Sequence, residues 1–400
     1  MKLIAAYAGI AGKGPGRWLW GVFQILYQLA QERGAKFVYA GPELEVDGLV
    51  MRPSLGSEIR IADASVAQKY AATEEALRNA IGSSRKIVVV AVGYTAYVPY
   101  AIDRIARPGS KTRLLVLDSS PPDTDEKSEA VEDDGQPASR FYWPAYNSTA
   151  GVHKEFVLCS TYDYPVGLVE SRIPKGMSSR VIAHPFPMKY IQQLQDVPQA
   201  YGEKDTVAVI CAGSYWGRWE EVSPWMTREQ YETMATGTQS LLAGIATAQD
   251  LFGRRLRVRM DQAGFEFAKQ RGILPNNLQV QPFSDLPHEE HLRLMAQSAV
   301  VIGRGGNQTN SLAAATIMGV PFIVWDVPGE RYMQTGATNH VGAKKELFPI
   351  LMHDASPQEI ARRILGELRR SPDQRTVIGE RLRQEMFSLP ILRQAVMEDL

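Results

Sequence analysis

Short apolar runs rich in Val, Ile and Leu alternate along this chain with longer segments whose apolar residues recur every three or four positions. The short runs read as strands buried on both faces, and the periodic segments as the helices that cover them. In the first half the pattern predicts strands at Leu3–Ala8, Lys36–Ala40, Lys86–Val92, Arg113–Leu117, Phe156–Cys159 and Arg180–Ala183. Helices are predicted between them at Arg17–Arg33, Ala64–Ile81, Tyr97–Ile105 and Pro165–Ser171. A second series gives strands Thr206–Cys211, Leu256–Met260, Leu278–Pro282, Ala299–Ile302, Pro321–Trp325 and Leu347–Leu351. Its helices are Arg228–Leu251, Phe265–Arg271, His288–Ala296, Ser311–Met318 and Pro357–Arg369. Two helical stretches, Asp373–Glu385 and Ile391–Leu400, close the chain.

This alternation predicts an α/β protein built from doubly wound parallel sheets. A chain of 400 residues exceeds one ordinary core, so two Rossmann-like domains are expected. Periodicity breaks at Pro185–Lys204, where Pro185, Pro187, Pro198 and Gly202 cluster. The break divides the chain into an N-terminal domain, 1–188, and a C-terminal domain, 189–385, with a last helix in 386–400 packing back on the first domain. Ligands of open α/β sheets bind beyond the carboxyl ends of the strands, so both domains are expected to present loops to a cleft between them.

Charge narrows the function. Lys+Arg and Asp+Glu are balanced at 44 each, which argues against nucleic acid as the main ligand. Cys159 and Cys211 lie in apolar runs and read as buried reduced thiols, which suits the cytoplasm. No His/Cys cluster has zinc spacing. The first strand follows Met1 without the basic region and cleavage site of a signal peptide. Trp18–Ala30 is too short to span a bilayer, and Gln24 and Gln28 give it a polar side. It reads as a core helix, while Trp18 and Trp20 leave a peripheral membrane contact open. Pro121–Pro137 is acidic, turn-rich and predicted to be mobile. Its Asp123-Thr124-Asp125 resembles the metal-binding D-x-D of metal-dependent sugar transferases. Carboxylates on a mobile loop fix a metal poorly, so the solvated loop is preferred and no metal ligand is assigned.

The densest chemistry lies at Gly303-Arg304-Gly305-Gly306-Asn307-Gln308-Thr309-Asn310-Ser311, between a predicted strand and a predicted helix. Glycines allow the backbone close to a ligand, and the first N–H groups of a helix are open donors at its positive end. A diphosphate can be held there without a metal. Thr309, Asn310 and Ser311 also serve as N-cap residues, so helix initiation accounts for part of the pattern.

The order Pro-Phe-Ser-Asp, helix, apolar strand, Arg-Gly-Gly-x-x-Thr, Ala-rich helix and Gly319-Val320-Pro321 resembles the donor domain of GT-B glycosyltransferases. It is most similar to the family of the peptidoglycan N-acetylglucosaminyltransferase MurG, and resembles the UDP-glycosyltransferases. The likeness spans roughly Thr206–Gly342. It includes Ala212-Gly213-Ser214, Val327-Pro328-Gly329-Glu330 and the Gln334…Asn339 pair, with His184-Pro185-Phe186 in place of an Asn-Pro-Val hinge. The resemblance implies a nucleoside diphosphate sugar as donor, with UDP favoured and no further cofactor. It implies that Gly213 and Ser214 lie near the diphosphate, and that Arg304, Gly305, Gly306, Asn307, Gln308 and Thr309 cradle it. Glu330 and Gln334 would approach the sugar, and Phe283 would border the base. Relatives carry a ribose-binding glutamate early in the next helix, where this chain has Leu312 or Ala313. Asn310 is the candidate replacement.

On the N-terminal side Gly9–Arg17 follows the first strand, where GT-B enzymes carry a glycine-rich loop and often a histidine. Here Lys13 and Arg17 stand instead, suited to an anionic acceptor or to the donor diphosphate, or else solvated loop charges. Asp118, ending a predicted strand, is the first candidate for the base that deprotonates the acceptor, against an ordinary turn or cap role. His184 is the second, against a hydrogen-bonded structural histidine. The expected activity is metal-independent glycosyl transfer, inverting if a base takes part, to an acceptor that is a small molecule or lipid-linked. A nucleotide-sugar epimerase and a non-catalytic nucleotide-sugar-binding partner subunit are the alternatives.

Overall fold

The computed structural model describes residues 1–8, 13–46, 49–60, 65–92, 97–106, 109–118, 152–160, 169–170, 173, 177–186, 192, 194, 205–210, 219–222, 227–284, 286–304, 310–325, 349–351 and 354–398. The chain divides into two compact units, Met1–Met188 with Phe387–Leu400, and Lys189–Met386.

The first unit opens with β1 (Lys2–Ala6), α1 (Lys13–Glu32) and β2 (Lys36–Ala40), then a small antiparallel hairpin of β3 (Leu44–Val46) and β4 (Leu49–Met51). It continues through α2 (Val66–Ile81), β5 (Lys86–Val92), α3 (Tyr97–Ile105), β6 (Lys111–Asp118), β7 (Val152–Ser160) and β8 (Ser178–Ala183). Six strands form one parallel sheet in the order β2-β1-β5-β6-β7-β8. Consecutive residues of β1, β5 and β6 are buried, so both faces are covered, as the unbroken apolar runs require. On one face α1 lays Leu19, Val22, Leu26 and Leu29, at helical spacing, onto Leu3, Val90 and Leu117.

Two features depart from the sequence pattern. The β3–β4 hairpin escapes it because three-residue strands are too short to establish a period. β7 begins at Val152, four residues before the apolar run Phe156–Cys159. The polar extension is held by ion pairs: Lys154 with Asp103 (2.6 Å), and Glu155 with Arg113 and Arg180 on the two flanking strands (2.6 Å each).

The second unit comprises β9 (Thr206–Ile210), α4 (Trp219–Val222), α5 (Arg228–Phe252), β10 (Arg257–Asp261), α6 (Gln262–Gln270), β11 (Gln279–Phe283), α7 (His288–Gln297), β12 (Val300–Arg304), α8 (Asn310–Met318), β13 (Phe322–Trp325), β14 (Ile350–Leu351), α9 (Pro357–Leu368) and α10 (Pro372–Phe387). Its parallel sheet runs β11-β10-β9-β12-β13-β14. α5 starts at a capping box of Thr227 and Gln230 and stops at Gly253, whose left-handed backbone suits a residue without a side chain. α8 is buried at every position from Leu312 to Met318, which its apolar residues permit, while the buried Thr316 hydroxyl donates to the Leu312 carbonyl (2.8 Å).

The last helix, α11 (Leu392–Met397), belongs to the first unit. It buries Leu392, Ala395 and Val396 in the cluster that α1 covers. Arg393 pairs with Glu32 on α1 (2.6 Å), and the Ala183 N–H at the end of β8 donates to the Pro390 carbonyl (2.8 Å). Among the described residues no helix is long and apolar enough to cross a membrane.

Candidate functional site

In the second unit the strands, counted along the chain, lie in the order 3-2-1-4-5-6. The direction of winding therefore reverses between β9 and β12, and such a switch point opens a crevice at the strands' carboxyl ends. The two strands are in register, with Ile302 opposite Val209 and Gly303 opposite Ile210. β9 runs into 211–218, which holds Gly213 and Ser214, and β12 runs through Arg304 into 305–309 and then α8. The segments expected to hold a diphosphate thus leave from adjacent strand ends. Gly303 is what lets these strands approach: a Cβ there would strike the Phe322 ring and lie 3.1 Å from the Ile210 carbonyl oxygen.

Gly213, Ser214, Gly305, Gly306, Asn307, Gln308, Thr309, Glu330 and Gln334 lie outside the described residues, as does the Arg304 side chain. Phe283 is described: it ends β11 and is buried. Its ring lies 6.3 Å from that of His291 on α7, and His291 Nε2 is 3.5 Å from Ser311 Oγ in the first turn of α8. Phe283, His291 and Ser311 therefore link the end of β11 to the start of α8. His291 is not among the residues that the sequence pattern singles out. The available signal was its position one turn into the helix that follows a strand's carboxyl end. Leu312 and Ala313 are fully buried, so neither directs a side chain at a ligand. The Asn310 side chain is outside the described ones.

In the first unit the reversal falls between β1 and β5, ahead of segments 9–12 and 93–96. Lys13 and Arg17 lie in the first turns of α1, with side chains outside the described ones. Asp118 is the last residue of β6, opposite Leu158 on β7, and 7% exposed. Burial, and then the nearby Asp118 charge, push the Cys159 thiol well above its ordinary pKa. Cys159 is a buried free cysteine; Cys211 lies outside the described residues.

His184 follows β8 and is 3% exposed. Its backbone N–H donates to the Ser160 carbonyl (2.9 Å). Its ring stacks on Phe186 at 4.8 Å and lies 6.3 Å from Trp18 on α1. Burial lowers its pKa to about 3, so the imidazole is neutral at physiological pH. Among the described residues neither its buried Nδ1 nor the buried Trp18 indole Nε1 has a hydrogen-bond partner. Asp118 and His184 leave two different strands separated by β7. Among the described residues no group of three or more His, Cys, Asp or Glu could hold a metal ion, and Asp123–Asp125 lie outside them.

Solved structures share this architecture over the whole chain. Sucrose-phosphate synthase from Thermosynechococcus elongatus aligns with a TM-score of 0.57 at 13% identity, covering 100% of this chain and 97% of that one. The glycotransferase of kitacinnamycin aligns at 0.55 and 15%, covering 100% and 99%. MurG from Acinetobacter baumannii aligns at 0.51 and 12%, covering 100% and 99%. The chain has the GT-B fold. No family model matches it, and no curated sequence does. At these identities the likeness is one of fold, so the GT-B assignment fixes the two Rossmann-like sheets and leaves chemistry to the residues.

Proposed function

We propose that the chain is a cytoplasmic glycosyltransferase. It moves a sugar from a nucleoside diphosphate sugar, a UDP-sugar first, to an acceptor hydroxyl or amine, with inversion and without a metal ion. One observation carries the reading: the switch point of the second unit places the exits of β9 and β12 side by side. The first leads into Gly213 and Ser214, the second into the glycine turn before α8. In this reading the backbone N–H groups of 305–309 and the amino end of α8 hold the diphosphate and stabilise the charge it gains on leaving. Arg304 and the Thr309 hydroxyl add donors. Phe283 borders the base, and Glu330 and Gln334 hold the sugar. The first unit takes the acceptor, a small molecule or a lipid-linked one, with Lys13 and Arg17 toward its anionic groups. Asp118 accepts the proton of the attacking group. His184, neutral and almost enclosed, is the second candidate for that step.

The test is a thermal-shift panel of UDP, GDP, dTDP, CDP and ADP, followed by product analysis with the sugar nucleotide that responds. A ligand that binds only the native state raises the melting temperature, and UDP is expected to do so most. If no nucleotide shifts the transition, the donor site is wrongly assigned. Binding without turnover would point to a partner subunit, and an altered sugar without transfer to an epimerase.

A further inference from the structure

The amino-terminal edge of the sheet in the first unit carries a row of cations that the proposed reaction does not use. Lys36 starts β2, Lys2 is the first residue of β1, Lys86 starts β5 and Lys111 starts β6, and these four strands are consecutive neighbours. The registers set Lys2 opposite Lys36 and Lys86 opposite Lys111, and Lys2 opposite Ile87, so the two pairs leave opposite faces of the sheet and meet only at its amino-terminal edge. With strands about 4.8 Å apart, the row spans only about 15 Å. Arg33, in the turn after α1, and Arg85, just before β5, add to it.

One of these cations has a structural task. Lys2 Nζ donates to the carbonyls of Ala80 (2.6 Å) and Ile81 (3.0 Å) at the end of α2. Burial, and then the neighbouring Lys36 charge, lower its pKa. Arg33, Lys36, Arg85, Lys86 and Lys111 are exposed. Among the described residues Arg33, Lys36, Arg85 and Lys111 have no carboxylate partner. Glu32, which borders them, is held by Arg393. Farther along the same edge, Arg113 and Arg180 share Glu155. The whole chain carries no net charge, so this concentration is segregation rather than surplus. Like charges inside one screening length repel, and a polyanionic surface relieves that repulsion.

The flanks are apolar. Met1 is 40% exposed and Tyr27 is 42% exposed, the latter 5.6 Å ring to ring from Phe37 beside Lys36. Cations bordered by an exposed aromatic and an aliphatic side chain match the headgroup layer of an anionic bilayer. We propose that this edge is a docking surface for an anionic membrane, independent of the donor-site assignment. Its residues differ from Trp18 and Trp20, which pack partly buried against the core.

Cosedimentation of the full chain with vesicles tests this, comparing phosphatidylcholine alone with phosphatidylcholine mixed with phosphatidylglycerol. Binding is expected only to the mixed vesicles, and raised salt should abolish it. Each cation removed should weaken binding about fivefold, so the triple variant Lys36→Gln, Arg85→Gln, Lys111→Gln should lose about a hundredfold. Lys36→Arg with Lys111→Arg should bind as the parent does. Should the triple variant unfold, the single substitutions still report about fivefold each. Equal binding to both vesicles, or to neither, overturns the proposal, as does a folded triple variant that binds undiminished. Preference for duplex DNA over the vesicles, lost in the same variant, would assign the edge to nucleic acid and overturn it too.

Discussion

Gly303 on β12 and Ile210 on β9 stand opposite each other in the parallel register, and a Cβ on Gly303 would lie 3.1 Å from the Ile210 carbonyl oxygen. The same Cβ would collide with the Phe322 ring on β13. Gly303→Ala is therefore expected to cost about 1–3 kcal/mol through overpacking. Because the displaced strands lead into the two proposed diphosphate loops, the thermal shift given by UDP should shrink as well. Adding Phe322→Leu should recover part of the stability. If UDP shifts the alanine variant as strongly as the parent, the spacing of these two strand ends does not govern binding.

His184 gives a pH prediction whose sign is fixed. Its pKa is depressed from 6.5 to about 3 in the fold by burial, so below pH 6.5 the unfolded chain binds the extra proton. The contribution is present above pH 6.5 and is lost as pH falls from there toward 3, at up to about 1.4 kcal/mol per pH unit. Urea unfolding of the parent between pH 7 and 5 should show a steeper loss than His184→Gln, in a range where most carboxylates stay ionised. Parallel curves for the two would mean that His184 does not titrate out of step with the unfolded chain. An acid limb near pH 6 in the activity profile would likewise belong to a group other than His184.

Much of the fold was legible because its strands are apolar runs and its helices carry apolar residues at helical spacing: Lys36–Ala40, Lys86–Val92 and Tyr97–Ile105 coincide with β2, β5 and α3. Legibility failed where polar residues are buried by partners from distant sequence. Nothing local to Lys154 and Glu155 announces Asp103, Arg113 or Arg180, so the start of β7 was missed. Around the proposed donor segment 305–309, the expected strand and helix are present as β12 and α8. The proximity of His291 to Ser311 was not legible, because twenty residues separate them in sequence and only the packing of α7 beside α8 joins them.

Asp118→Asn tests the proposed base. If the carboxylate accepts the acceptor's proton, transfer should fall by about a hundredfold to ten-thousandfold, while the UDP thermal shift is retained, because donor binding is assigned to the other unit. Asparagine keeps the size of the side chain, so the melting temperature serves as the control for its burial in β6. Unchanged turnover would remove Asp118 from the mechanism and leave His184 as the remaining candidate.

The pairing of buried Glu155 with two arginines makes it sensitive to substitution. Its side chain is 4% exposed, against 18% for Arg113 and 26% for Arg180, and each guanidinium lies 2.6 Å from a different carboxylate oxygen. Arg180 also reaches Glu398 beyond α11 (3.0 Å), so the cluster ties three strands to the chain's last turn. Glu155→Ala leaves two cations against a low-dielectric strand edge and should destabilise by about 3–5 kcal/mol. Glu398→Ala touches only the exposed end of the network and should cost under about 1 kcal/mol. Chemical denaturation of the two variants side by side decides the point. Equal losses would show that the buried carboxylate contributes no more than a surface ion pair, leaving the Lys154–Asp103 pair and the backbone ladder to hold the polar start of β7.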